Sequence, residues 1–459
     1  MNAAATLDPE IVSWIEQATG LPVAAADRIP GGGTRQGWFV DLRDRDGSVI
    51  KRFLRYSLEP EGSAFHSLAV EAEVIRALGA AGARVATVYA VHPTLEAVLL
   101  ERIPGDTWFY RIKEPGDQVK VAQDFIRSLA YVHRLDPATL KIPALGPVGS
   151  ARKHALDRLE AIRRRGAGPD GTIEPLLQLS LDWLERNIPD YDGPVVLVQG
   201  DTGPGNFLYR DGRVTAVVDW ELAHWGDPMD DIAWLSLRTV QDTFTHLPDR
   251  LAEYERLSGH PIDTDRVWYY RLFAEVTMTT LHPPGSPRER SKGTPTQDVG
   301  NRLLYQQLHR RLWLEALDAV TGLGLRRPAP AETGADEREP WHHLYADALG
   351  MLRTITPRID DPLASQWAKG VARILRYLQS IDANGGADAT SELDELAVAL
   401  GGRPVSVAAG RGALADAYRG GRISDEEYIR HVWNQVMRND HLMTTASGAL
   451  AERTWPPLI

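Results

Sequence analysis

The chain of 459 residues contains no cysteine. That absence excludes disulfides, thiolate metal sites and a cysteine nucleophile together, and leaves packing alone to hold the fold. No uninterrupted apolar run approaches the roughly 18 residues that suggest a membrane span. The first basic residue is Arg28, so the charged start of a signal peptide is missing. A positive balance is lacking as well: 51 Lys and Arg face 62 Asp and Glu, a formal net charge of −11. This argues against a protein whose main work is to bind a phosphate backbone. The expectation is a cytoplasmic protein with neither nucleic acid nor membrane as partner.

What is present is ordinary globular material, 43% hydrophobic and 25% charged residues. The length exceeds what a single core usually supports, so two or three domains are expected. Asp8 and Pro9 predict a helix start, with Ile11, Trp14 and Ile15 on one face. Residues 29–42 read as strand, glycine-rich turn (Gly31, Gly32, Gly33, Gly37) and strand, and residues 49–56 as a further strand. Helical spacing returns over 68–78, followed by strands at 87–91 and 97–100. Past Ile103, Pro104 and Gly105 helical patterns dominate, broken by short β-branched runs at 195–198, 207–209 and 214–218. Residues 283–298 read as a loop and 326–340, with three prolines, as a linker. Beyond it, stripes at 371–378 and 393–400 predict two helices parted by a glycine-rich break at 384–387, and Ser424 with Glu427 offers a capping box.

The chemistry concentrates in Gly200-Asp201-Thr202-Gly203-Pro204-Gly205-Asn206. Phosphoryl transfer needs a carboxylate to orient and deprotonate a hydroxyl, and metal ions to neutralise the phosphates. An Asp five residues before an Asn on one loop supplies both, and Asp219, thirteen residues further on and followed by Trp220 and Glu221, adds a second hard oxygen ligand for magnesium. Gly226-Asp227-Pro228 and Asp231 continue the pattern.

This stretch resembles the signature region of the aminoglycoside-phosphotransferase and choline-kinase-like superfamily, related in fold to protein kinases. The resemblance implies an α+β, bilobal protein-kinase-like fold, with Asp201 as catalytic base, Asn206 and Asp219 holding Mg2+, and Asp227 and Asp231 buttressing the metal loop. Where the family usually has His two residues before the Asp, this chain has Gln199, which can hydrogen-bond but carries no charge. The nucleotide, ATP, is then expected against Gly32, Gly33 and Thr34 of the glycine turn. Arg55 at the end of a strand would meet the phosphates and pair with Glu71, with Lys51 and Glu73 as their rivals. Glu101 and Ile103 fall where the chain passes between lobes and backbone groups meet adenine.

The expected domains are 1–102 for the nucleotide lobe, 103–325 for the catalytic and acceptor lobe, 326–340 for the linker and 341–459 for a helical tail. The tail is expected to pack on the large lobe and shape the acceptor side, its rival role being to recruit a protein partner. The basic run Arg152, Lys153, Arg158, Arg163, Arg164 and Arg165 reads as a solvated helix face rather than an anion site. Some relatives accompany acyl-CoA dehydrogenase-like domains, which implies a hydroxyacyl-CoA or another metabolic alcohol as the small-molecule acceptor. The alternatives are an aminoglycoside or macrolide antibiotic, or, in another class, a nucleotide-binding regulator without transfer activity.

Overall fold

Asp8 accepts a hydrogen bond from the Glu10 amide at 2.9 Å and so caps helix α1 (Pro9–Thr19), which Gly20 ends in the left-handed conformation. The computed structural model that shows this describes residues 7–29, 35–57, 66–281, 299–330 and 341–459. Gly31, Gly32, Gly33 and Thr34, the loop 283–298 and residues 331–340 lie outside them.

Five antiparallel strands follow in the order β1-β2-β3-β5-β4: β1 (Val23–Ile29), β2 (Gln36–Arg43), β3 (Val49–Tyr56), β4 (Val88–Val91) and β5 (Ala97–Glu101). Helix α2 (Leu68–Ala80), capped by Ser67, enters between β3 and β4. The strand period of two sorts the side chains. Trp38, Val40, Leu42, Leu54, Ala97 and Leu99 pack with Ile11 and Ile15 of α1 into one core. The opposite face carries Phe39 and Phe53, cross-strand partners with rings 6.1 Å apart, and Arg55, registered against Gly37. One face therefore stabilises the lobe and the other is left for polar work.

The rest is mostly helical, so the fold is α+β and bilobal, with extra helices toward the C-terminus. After α3 (Pro115–His133), α4 (Ala151–Gly166) and α5 (Pro175–Arg186) come four short strands, β6 (Val196–Val198), β7 (Phe207–Arg210), β8 (Arg213–Val217) and β9 (His224–Gly226). Helices α6 (Pro228–Gln241), α7 (Leu247–Ser258), α8 (Thr264–Leu281) and α9 (Val299–Thr321) follow, then α10 (His343–Ile355), α11 (Pro362–Leu400), α12 (Val407–Arg419) and α13 (Asp425–Leu442). No helix among the described residues is long and apolar enough to cross a membrane. The chain divides into two compact units, one of Met1–Asp157, Pro189–Tyr270 and Trp455–Ile459, the other of Arg158–Ile188 and Arg271–Thr454.

Within the second unit α11 is a single helix of 39 residues, which corrects the expectation of two. Asp361 caps its start through the Leu363 and Ala364 amides, and Gly401 ends it at φ 71°. Gly385 and Gly386 cost about 1 kcal/mol each against alanine. Packing against α9, α10, α12 and α13 along its length outweighs that. The stripe is also less buried than its pattern predicts: Leu396 is covered, but Val371 and Leu378 stay 46% and 42% exposed. Ser424 and Glu427 form the expected capping box on α13. Tyr377 of α11 donates to Asn439 Oδ1 at 2.5 Å, and Asn439 Nδ2 to Gln307 Oε1 of α9 at 2.6 Å, fixing the register of three helices.

Where α9 meets α11 the backbones touch, since a Cβ built on Gly300 would lie 2.2 Å from the Gly370 carbonyl oxygen. Gly300→Ala is therefore expected to lower the unfolding free energy by about 1–3 kcal/mol, as overpacking does. Urea denaturation reads this directly. An unmoved midpoint would mean that the two helices part without cost.

Candidate active site

The fully buried strand β6 pairs antiparallel with β9, and the loop 199–206 leaves its end. The β7–β8 hairpin that follows turns tightly at Asp211 and Gly212, with φ 52° and 75°, both left-handed as such two-residue turns demand. The hairpin folds the chain back so that the Val218 amide donates to the Asn206 carbonyl at 3.0 Å. Asn206 and Asp219, thirteen positions apart, thus become neighbours.

The loop is held from below by α6. Asp231, in the first turn of that helix and 0% exposed, accepts from the Gln199 amide at 2.9 Å, the Gly200 amide at 3.0 Å and Thr202 Oγ1 at 2.5 Å. Its Oδ2 also lies 3.0 Å from His133 Nε2, whose ring is fixed on its other side by Tyr254 Oη at 2.7 Å. Asp227 caps α6 through the Met229 amide at 2.9 Å and is paired with Arg266 at 2.8 Å. Gln199 faces the loop with both ends of its amide: Nε2 donates to the Val218 carbonyl at 2.6 Å, and Oε1 lies 2.9 Å from Thr202 Oγ1. A neutral side chain therefore ties the loop to the end of the hairpin.

Asp201 and Asn206 meet across this loop. Asn206 Nδ2 donates to Asp201 Oδ2 at 2.6 Å and to the Asp201 carbonyl at 2.7 Å, which turns its Oδ1 to the other side. Asp219 has φ 65°, a left-handed conformation rare outside glycine and tolerated best by Asp and Asn. Such backbone strain collects at functional positions.

Arg55 reaches from β3 into the same place. Its guanidinium contacts Glu71 Oε1 at 2.5 Å, Glu221 Oε2 at 3.0 Å and Asp219 Oδ1 at 3.3 Å. Burial opposes its charge, but Glu71, Asp219 and Glu221 more than offset that and raise its pKa. Arg35 adds a second guanidinium, 3.3 Å from Glu71 and 3.0 Å from Glu221. Three carboxylates thus share two cations. Burial first, and then the charge of Asp219, push Glu221 up to about 8. The structure pairs Arg55 with Glu71; Lys51 stands exposed on β3, and Glu73 accepts from the Ala144 amide instead.

The remaining expected positions are more scattered. Glu101 ends β5 with its carboxylate turned to Thr87, and Ile103 follows it in irregular chain, partly buried. Beside them Arg102 lies over the Phe39 ring at 3.7 Å. Gly32, Gly33 and Thr34 fall outside the described residues. Of the basic run, Lys153 pairs with Asp157, Arg164 with Glu160 and Arg163 with Asp182 and Glu185, as a solvated face would. Sequence reasoning missed Arg35, Glu221 and Arg238. Arg238 had a signal, since it stands two helical turns after Asp231 on the same face of α6 and reaches Asp201.

Comparison with known proteins matches residues 26–267, just over half of the chain, to the phosphotransferase enzyme family. The rat protein acyl-CoA dehydrogenase family member 11 is 33% identical over 159 residues, 34% of this chain and 20% of that protein. A probable acyl-CoA dehydrogenase of Arabidopsis thaliana, IBR3, is 26% identical over 182 residues, covering 34% and 22%. The chain thus spans about a fifth of the length of these relatives. Among solved structures, macrolide 2'-phosphotransferase MphH of Brachybacterium faecium superposes with TM-score 0.41 at 21% identity, over 60% of this chain and 99% of that one. A choline/ethanolamine kinase family protein of Mesorhizobium loti gives 0.43 at 18%, over 68% and 92%. With more than half of its length matched and the acidic loop, hairpin and Arg–Glu pair gathered in one place, the chain belongs to the phosphotransferase enzyme (APH) family.

Proposed function

We propose that the protein transfers the γ-phosphate of ATP, with Mg2+, to a hydroxyl of a small molecule. The observation that carries this reading is the convergence of Asp201, Asn206 and Asp219 with the Arg55–Glu71 pair. Asp201 accepts the proton of the acceptor hydroxyl as its oxygen attacks the γ-phosphorus and the bond to the β,γ-bridging oxygen breaks. Asn206 Nδ2 holds that carboxylate while its Oδ1 serves as a metal ligand together with Asp219. These hard oxygen donors fit magnesium. When bound, the metal neutralises charge on the phosphates. Arg55, oriented by Glu71, supplies a guanidinium for the α- and β-phosphates, and Phe39 and Phe53 give the adenine an apolar ceiling.

For the acceptor, the first reading is a hydroxyacyl-CoA or a related metabolic alcohol. It draws support from relatives that carry the name acyl-CoA dehydrogenase and that this chain matches over about a fifth of their length. Purified protein incubated with labelled ATP and a panel of hydroxyacyl-CoAs, simple alcohols, aminoglycosides and macrolides is expected to label the first group. Label on antibiotics alone would reverse the order, and none at all would favour a nucleotide-binding regulator.

Asp201→Asn is expected to bind nucleotide as the parent does but to turn over about 10²-fold or more slowly, the range for losing a positioned base. A variant retaining over half of the parental rate would move the base elsewhere. Asp219→Ala is expected to weaken Mg-ATP binding and turnover together, since one of two protein ligands is gone. Calorimetric titration checks the first part, and unchanged affinity with unchanged turnover would relocate the metal.

A further inference from the structure

Arg238 stands in the last turn of α6, where an arginine ordinarily does no more than complement the helix dipole. Its surroundings are not those of a surface residue. The guanidinium Nε lies 3.3 Å from Asp201 Oδ1, an ionic contact made with a side chain only 21% exposed. Nη1 donates to Gln241 Oε1 at 3.0 Å, which sets the plane of the fork from behind. The loop is shaped around this side chain: a Cβ on Gly203 would lie 2.6 Å from Arg238 Cβ, and one on Gly205 would lie 3.2 Å from Nη2. Both glycines have positive φ, 144° and 95°, so the backbone there takes a path that only glycine follows without strain.

We propose that Arg238 is the positioning residue of the catalytic base, an inference that rests on the assignment of Asp201 to that role. Asn206 holds Oδ2 by a hydrogen bond and the charge of Arg238 faces Oδ1 from α6, so groups on two separate elements bear on the orientation of the carboxylate. Rotation of the carboxylate away from the attacking oxygen would forfeit the alignment on which transfer depends, and small misplacements of this kind cost about 10²-fold in rate. Arg238 acts through its contact with Asp201.

Steady-state kinetics of single and double variants test this. Arg238→Gln is expected to lower kcat by about 10²-fold while KM for ATP stays within about twofold, and Arg238→Lys to recover part of the loss as a point charge without the planar fork. In an Asp201→Asn background, Arg238→Gln is expected to add no further loss, because residues that act as a unit are not additive. Thermal melting is followed for each variant, and Arg238→Lys carries the test if the glutamine variant does not fold. A kcat above half the parental value in Arg238→Gln overturns the proposal. So does the same factor of loss with and without Asp201, which would give Arg238 an independent or merely structural role. A fully active Asp201→Asn removes the base assignment itself, whereas an inactive Asp201→Asn beside a fully active Arg238→Gln removes only the positioning role.

Discussion

The loop 199–206 hangs on one buried carboxylate. Asp231 has no exposure to water and takes up two backbone amides, a threonine hydroxyl and a histidine, so groups of the loop and of α3 compensate its charge. The first turn of a helix favours a negative charge, which places Asp231 where α6 itself contributes. Breaking such a buried arrangement by removing one partner costs about 3–5 kcal/mol, because the other groups are left without compensation. Everything downstream is referred to that anchor. It sets the loop, the loop sets Asp201 and Asn206, and the hairpin closes from Asn206 back to Val218 and so delivers Asp219.

The second constraint is electrostatic. The sheet of the small lobe spends one face on its core with α1 and offers the other to charge, and Arg55 is the residue through which that second face reaches the acidic loop. His66 adds a mechanical tie, with Nε2 against the Ala223 carbonyl at 2.7 Å and its own amide on the Glu221 carbonyl at 3.0 Å. Asp219 meets the guanidinium of Arg55 from a left-handed backbone, φ 65°.

Much of this was legible from residues alone, wherever a local rule and the global fold agree. Asp8 and Ser424 cap the helices their neighbours predict, and the strands read at 29–42 and 49–56 are present as β2 and β3. The acidic loop was legible because its residue types have few other uses in that order. What escaped was decided by tertiary contact. Strand β9 is three residues long and exists because β6 needs a partner. The Gly385–Gly386 pair reads as a break, yet neighbouring helices on α11 outweigh its propensity cost. Arg35 and Arg238 look like any surface arginine until the elements that carry them are brought against Glu71, Glu221 and Asp201.

The division of the chain bears on the order in which the molecule can assemble. The first unit is interrupted twice, after Asp157 and again after Tyr270, and is rejoined by Trp455–Ile459. That returning segment is not decoration: Trp455 and Leu458 are 9% and 7% exposed, and the Trp455 ring meets Trp268 edge-on at 6.2 Å. The second unit likewise joins Arg158–Ile188 to residues beyond Arg271. Closing such long loops must precede the contacts that reward it, which slows folding and keeps apolar surface uncovered in the meantime. The unit that holds loop 199–206 therefore completes its own packing only once the chain has reached Trp455–Ile459, and the two cannot be built strictly one after the other along the chain.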